Sequence, residues 1–141
     1  MQYKVTKYAI IDGIFPSGRG GSTMVTYKDK VILFGGHFLL EEGKYSYLNE
    51  VWVFDPSNGL WKLKKCKGTY PTERYAHCCQ IIDNKMIIFG GKSATVTLND
   101  VHVLDLDKWT WLSLPIEGKS PRSRYVIATI LTLLYYFSTS I

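Results

Sequence analysis

Y-A-H-C-C-Q-I-I-D-N-K-M-I-I-F-G-G, from Tyr75 to Gly91, is the stretch whose reading decides the fold. An apolar run, the turn Asp83-Asn84-Lys85 and a second apolar run closed by two glycines predict a β-hairpin. Successive strand residues point to opposite faces, so His77, Cys78 and Cys79 cannot converge on a metal ion or form one nucleophilic site. Both cysteines read as packing residues.

The same order of landmarks precedes the hairpin once in full and follows it once in part. Pro16, Pro71 and Pro121 each have a glycine three residues before (Gly13, Gly68, Gly118) and an arginine three residues after (Arg19, Arg74, Arg124). Phe34-Gly35-Gly36 and Phe89-Gly90-Gly91 begin 15 residues after Arg19 and Arg74. Leu48-Asn49-Glu50-Val51 and Leu98-Asn99-Asp100-Val101 come next, then Asp55 and Asp105, then Trp61 and Trp111. A repeat of about 50 residues is the size of one four-stranded propeller blade. Its first strand follows the arginine, its second ends at Phe-Gly-Gly, its third is 51–54 or 101–104, and its fourth holds the tryptophan. Gly35, Gly36, Gly90 and Gly91 suit a positive φ or a close backbone approach, and Asp55-Pro56-Ser57-Asn58-Gly59 is turn chemistry. A blade has two apolar faces, so the tryptophans are expected to pack between blades.

The paired glycines, the aspartate after the third strand and the tryptophan six residues beyond it resemble the kelch repeat, a β-propeller family. The G-x-x-P-x-x-R and L-N-[DE]-V forms are similar to host cell factor, Rab9 effector and fungal cell-polarity proteins. The resemblance implies an all-β fold: kelch blades of four antiparallel strands in an incomplete ring. His102 departs from it, standing where Trp52 and many kelch repeats carry an aromatic. On this reading 1–12 is the outer strand of an incomplete blade, either the counterpart of the ring-closing strand of this family or the mark of a chain that starts inside a blade. Residues 13–62 and 63–112 are kelch blades, 113–125 starts another, and 126–141 is an atypical apolar tail. After Arg124 the repeat calls for Phe-Gly-Gly at 139–141, where the chain has Thr139-Ser140-Ile141. A truncated, alternatively spliced or frame-shifted kelch protein is expected, with a tail anchor as the alternative. Two full blades cannot close a propeller of four to eight, so a marginal, self-associating or fragmentary chain is anticipated.

Composition narrows function. Of 141 residues 46% are hydrophobic, and the net charge of +5 favours acidic partners without implying nucleic acid. Lys62, Lys64, Lys65 and Lys67 fall in an expected edge strand, where lysines guard against edge pairing. Three cysteines without framework spacing point to a reducing compartment, and the cytosol is the default. No phosphate-cradling loop occurs, because the glycine pairs lack the lysine and following helix. No metal, cofactor or enzymatic activity is expected, although a fragment of a propeller enzyme or specifier protein is the alternative.

The expected function is a scaffold or adaptor that binds other proteins through loops on one rim, where the connection between blades lies beside that between the second and third strands. The rim candidates are Arg19, Arg74 and Arg124, with Glu73, Arg122 and Lys92 beside them. The connection 37–47 is five residues longer than 92–97 and adds Phe38, Leu39 and Glu41 as an apolar tip with an acidic flank. Three guanidinium groups suit carboxylate recognition. Their repetition equally suits a brace that bonds backbone carbonyls or a neighbouring blade's acid, and on residues alone both readings stand.

Overall fold

In the computed structural model residues 13–115 are described. The expected strand at 1–12, the third blade start with Arg122 and Arg124, and the tail 126–141 lie wholly or mostly outside these.

The first blade is a four-stranded antiparallel sheet of β1 (Thr23–Tyr27), β2 (Lys30–Phe34), β5 (Val51–Asp55) and β6 (Leu60–Lys64), in that spatial order. Between β2 and β5 the chain makes a separate hairpin, β3 (His37–Glu41) with β4 (Lys44–Tyr47). The second blade comprises β8 (Cys78–Ile82), β9 (Lys85–Lys92), β10 (Thr97–Asp105) and β11 (Thr110–Leu114), with the short strand β7 (Lys67–Gly68) added outside β11. The hairpin predicted at 75–91 is β8–β9. Its turn is Asp83-Asn84 alone, because Lys85 already pairs with Ile82. The third strand of this blade begins at Thr97 rather than Val101, bulged between Leu98 and Val101. The fourth strands end at Lys64 and Leu114, two residues beyond 62 and 112. Among the described residues there is no helix.

Period-two alternation decides which side chains meet. In β2, Ile32 and Phe34 face the second blade, and in β9, Met86 and Ile88 face back. With Val51, Leu104, Leu106 and Trp111 they form one buried cluster spanning both blades. The ring centroids of Phe34 and Trp111 are 5.2 Å apart, so Trp111 packs between blades. Trp61 is only half-buried and stacks on Phe54 of its own blade at 5.0 Å. Ile87, Phe89, Val101 and Val103 form a second cluster on the far face of the second blade.

The glycine before the proline has a steric cause. Gly68 has φ +80°, and a Cβ there would lie 2.2 Å from the Trp111 carbonyl oxygen, which is overlap. That contact lets Lys67–Gly68 run parallel to Thr110–Trp111 and seal part of the outer edge. β6 ends the order of its own sheet, as expected for the strand holding Lys62 and Lys64.

Candidate functional site

Two isolated bridges, Gly20 with His37 and Tyr75 with Lys92, hold each entry loop against the connection between the second and third strands. These loops share one end of the blades, the upper rim. Hydrogen bonds also cross between blades: Gly36 N–H donates to Arg74 O at 2.8 Å, Arg74 N–H to Leu48 O at 3.0 Å, and Ala76 N–H to Gly21 O at 2.8 Å.

Beneath this rim the two arginines repeat one arrangement. Arg74 Nε donates to Thr72 O (3.0 Å), Nη1 to Gly90 O (2.9 Å), and the two Nη atoms grip Asp100 at 2.6 and 2.8 Å. Arg19 Nε donates to Ser17 O (3.1 Å), Nη1 to Gly35 O (3.3 Å) and Nη2 to Glu50 at 3.0 Å. Arg74 is completely buried and the Arg19 side chain is 4% exposed. Their donors point inward, which is the geometry of a brace, and each acid comes from the arginine's own blade rather than a neighbour. The motif L-N-[DE]-V therefore supplies the brace's acid. Trp52 Nε1 donates to Glu50 at 2.8 Å, and His102 Nε2 lies 3.0 Å from Asp100. His102 thus fits the repeat by chemistry: both rings present a nitrogen to the acid two residues earlier. Burial raises the Asp100 pKa, but the Arg74 bonds and charge, with His102, bring it below the usual carboxylate value overall.

Above the brace stands the β3–β4 hairpin, formed by the long connection 37–47. Glu42-Gly43 forms its tip between Glu41 and Lys44, which are ion-paired at 2.9 Å. At its base the His37 ring lies 4.6 Å from Tyr75, 5.3 Å from Tyr45 and 6.1 Å from Tyr47, and Tyr47 lies 5.6 Å from Tyr75. Because Tyr75 belongs to the second blade's entry, these rings tie the hairpin to both blades. Leu39, Leu40 and Tyr45 project from it, exposed by 56%, 61% and 49%. Phe38 is half-buried, and Glu73 and Lys92 are exposed on the same rim. The aromatic base escaped sequence reading, although Tyr45-Ser46-Tyr47 has the alternation of a strand.

The interior offers little reactivity. Burial, then the charge of Arg74, pushes His77 down to about 4, and Thr23 Oγ1 lies 2.7 Å from its Nε2. Burial pushes the Cys79 thiol up to about 12 and raises Cys78 and Cys66, which disfavours thiolate. Among the described residues no group of three or more His, Cys, Asp or Glu side chains could hold a metal ion.

Comparisons with known proteins agree with this architecture. The KLHDC2/KLHL20/DRC7 Kelch-repeats domain matches residues 2–140. Mouse Kelch domain-containing protein 1 is 34% identical over 140 residues, covering 86% of this chain and 34% of that protein. Dynein regulatory complex subunit 7 of Chlamydomonas reinhardtii is 35% identical over 109 residues, covering 75% of this chain and 9% of that protein. The chain therefore spans about a third or less of the length of these relatives. The solved structure of YjhT superimposes with a TM-score of 0.60 at 18% identity, over 77% of this chain and 40% of that one, which concerns the fold alone.

Proposed function

The chain belongs to the kelch-repeat family, and from that premise we propose that it is a protein-interaction module docking partner segments on the upper rim. The observation that carries this reading is the β3–β4 hairpin. Its longer connection is locked by pairing and by stacked rings, yet Leu39, Leu40 and Tyr45 face solvent. A rigid apolar projection loses little conformational entropy on binding and suits a partner's apolar groove or side chains. Arg19 and Arg74 hold this surface from beneath, while Glu73 and Lys92 flank it. The dynein regulatory complex relative is, by its name, a subunit of an assembly, which supports protein partners.

The proposal contains no catalytic step and assigns the module to the cytosol, on the odd cysteine count alone. A preference for acidic segments rests on the net charge of +5. The closer likeness to the host cell factor and Rab9 effector group stays part of the proposal, resting on the two quoted motifs. Self-association also belongs to it, as the expectation for a repeat array of two full blades, since each blade stacks on neighbours to bury its faces. Affinity capture from cells with the wild-type chain and with Leu39→Ser/Leu40→Ser tests the docking surface. The double variant should keep its melting temperature and lose its partners; an unchanged partner set would overturn the reading.

A further inference from the structure

At the opposite end of the blades, the lower rim, the strand turns enclose a groove of about 360 Å³ between β6 and the second blade. A second hollow of about 300 Å³ adjoins it, sharing Lys30, Val53 and Trp109 as a common wall. Trp109 is where the two blades part company. The residue four after the strand-ending aspartate is Gly59 in the first blade, with φ +73°, and Trp109 in the second, with φ +54°. A left-handed backbone disfavours a bulky side chain, and such strain persists where the surroundings or a function hold it. Here the indole is half-buried and forms part of the groove's apolar floor with Val53.

The charges around this floor are unbalanced. Asp107 is bonded by Tyr27, Lys28 and Asn84, while Lys30 is paired with both Asp29 and Asp55. The local carboxylates are thus occupied. Lys62 and Lys64, on the β6 face turned to the second blade, have no carboxylate partner among the described residues, and Lys64 Nζ sits 4.4 Å from the Trp109 ring centroid. Residues two apart on a strand are separated by about 6.6 Å. That spacing matches alternate side chains of another extended chain.

We propose that this lower-rim groove binds an extended acidic segment of another protein, with alternate carboxylates on Lys62 and Lys64 and the methylene groups that carry them against Trp109 and Val53. The inference is independent of the hairpin on the upper rim. Edge protection explains lysines on β6, but it does not explain a tryptophan in a glycine's place opposite them.

Fluorescence anisotropy with the full chain and a dye-labelled eight-residue peptide of alternating Glu and Leu provides the test. Saturable binding that weakens as salt rises is expected, with at least a tenfold loss in Lys62→Glu/Lys64→Glu and no binding of a Lys/Leu analogue. Trp109→Gly, which restores the residue natural to this backbone, should weaken binding severalfold; Lys62→Glu alone, an exposed change, keeps the test decisive if the glycine variant fails to fold. Leu39→Ser/Leu40→Ser should bind the peptide normally. Absence of saturable binding, equal binding by the lysine variants, loss in the leucine variant, or tighter binding of a single-stranded oligonucleotide than of the peptide would each overturn the proposal.

Discussion

Arg74 has no solvent-exposed surface, so its guanidinium depends wholly on the groups around it. Removing one partner from such a pair leaves the other's charge and the carbonyls unsatisfied. Arg74→Ala should therefore cost about 3 kcal/mol or more in a denaturant titration. Arg74→Lys should recover only part of this, because one ammonium cannot span Thr72 O, Gly90 O and both Asp100 oxygens. His77 supplies a pH signature. Its folded pKa of about 4 lies below the ordinary 6.5, so as pH falls the unfolded chain takes the proton first. Stability should drop between pH 6.5 and about 4, by about 3 kcal/mol for the whole shift. His77→Phe should flatten that slope in melts recorded across the range. Asp100 acts lower: its depressed folded pKa gives stability present above the ordinary value of 3.8 and lost as pH falls through the folded one. The repeated arginines were legible as positions. Their orientation was not, since the same spacing serves a ligand contact and a brace until Asp100 and Glu50 are seen beneath them.

Among the elements, β2, β5, β6, β8, β9 and β11 could be read from apolar runs and landmark spacing because one repeat checked the other. The β3–β4 hairpin could not, having no counterpart in the second blade, where Ser93–Val96 is a short turn. Its Glu42-Gly43 tip was the available signal. Trp109 hid for the opposite reason: its left-handed backbone is visible only by setting it over Gly59. Gly68 and Gly43 separate backbone strain from steric fit, because their φ values, +80° and +77°, are nearly equal. A Cβ on Gly43 meets open space, whereas one on Gly68 overlaps Trp111 O. Gly43→Ala should cost about 1 kcal/mol, and Gly68→Ala about 2 kcal/mol more, from the displaced strand. Thermal melts of the two variants compare them directly.

For the molecule as a whole, the larger buried cluster among the described residues lies between the blades rather than within either. Phe34 and Trp111 belong to different blades and are both essentially buried. Phe34→Ala should cost about 3–5 kcal/mol. A double-mutant cycle with Trp111→Ala should show coupling of about 1 kcal/mol, measuring cohesion between repeats. Zero coupling would mean that the blades are stabilised independently.

The parallel contact of Lys67–Gly68 with Thr110–Trp111 bears on assembly during synthesis. β11 docks between β10 and β7, both of which leave the ribosome before it. Both partners of that strand are therefore already synthesised when it emerges. The connector acts as a doorstop set down one blade in advance, so the second blade can close in the order of translation, without waiting for chain still to come.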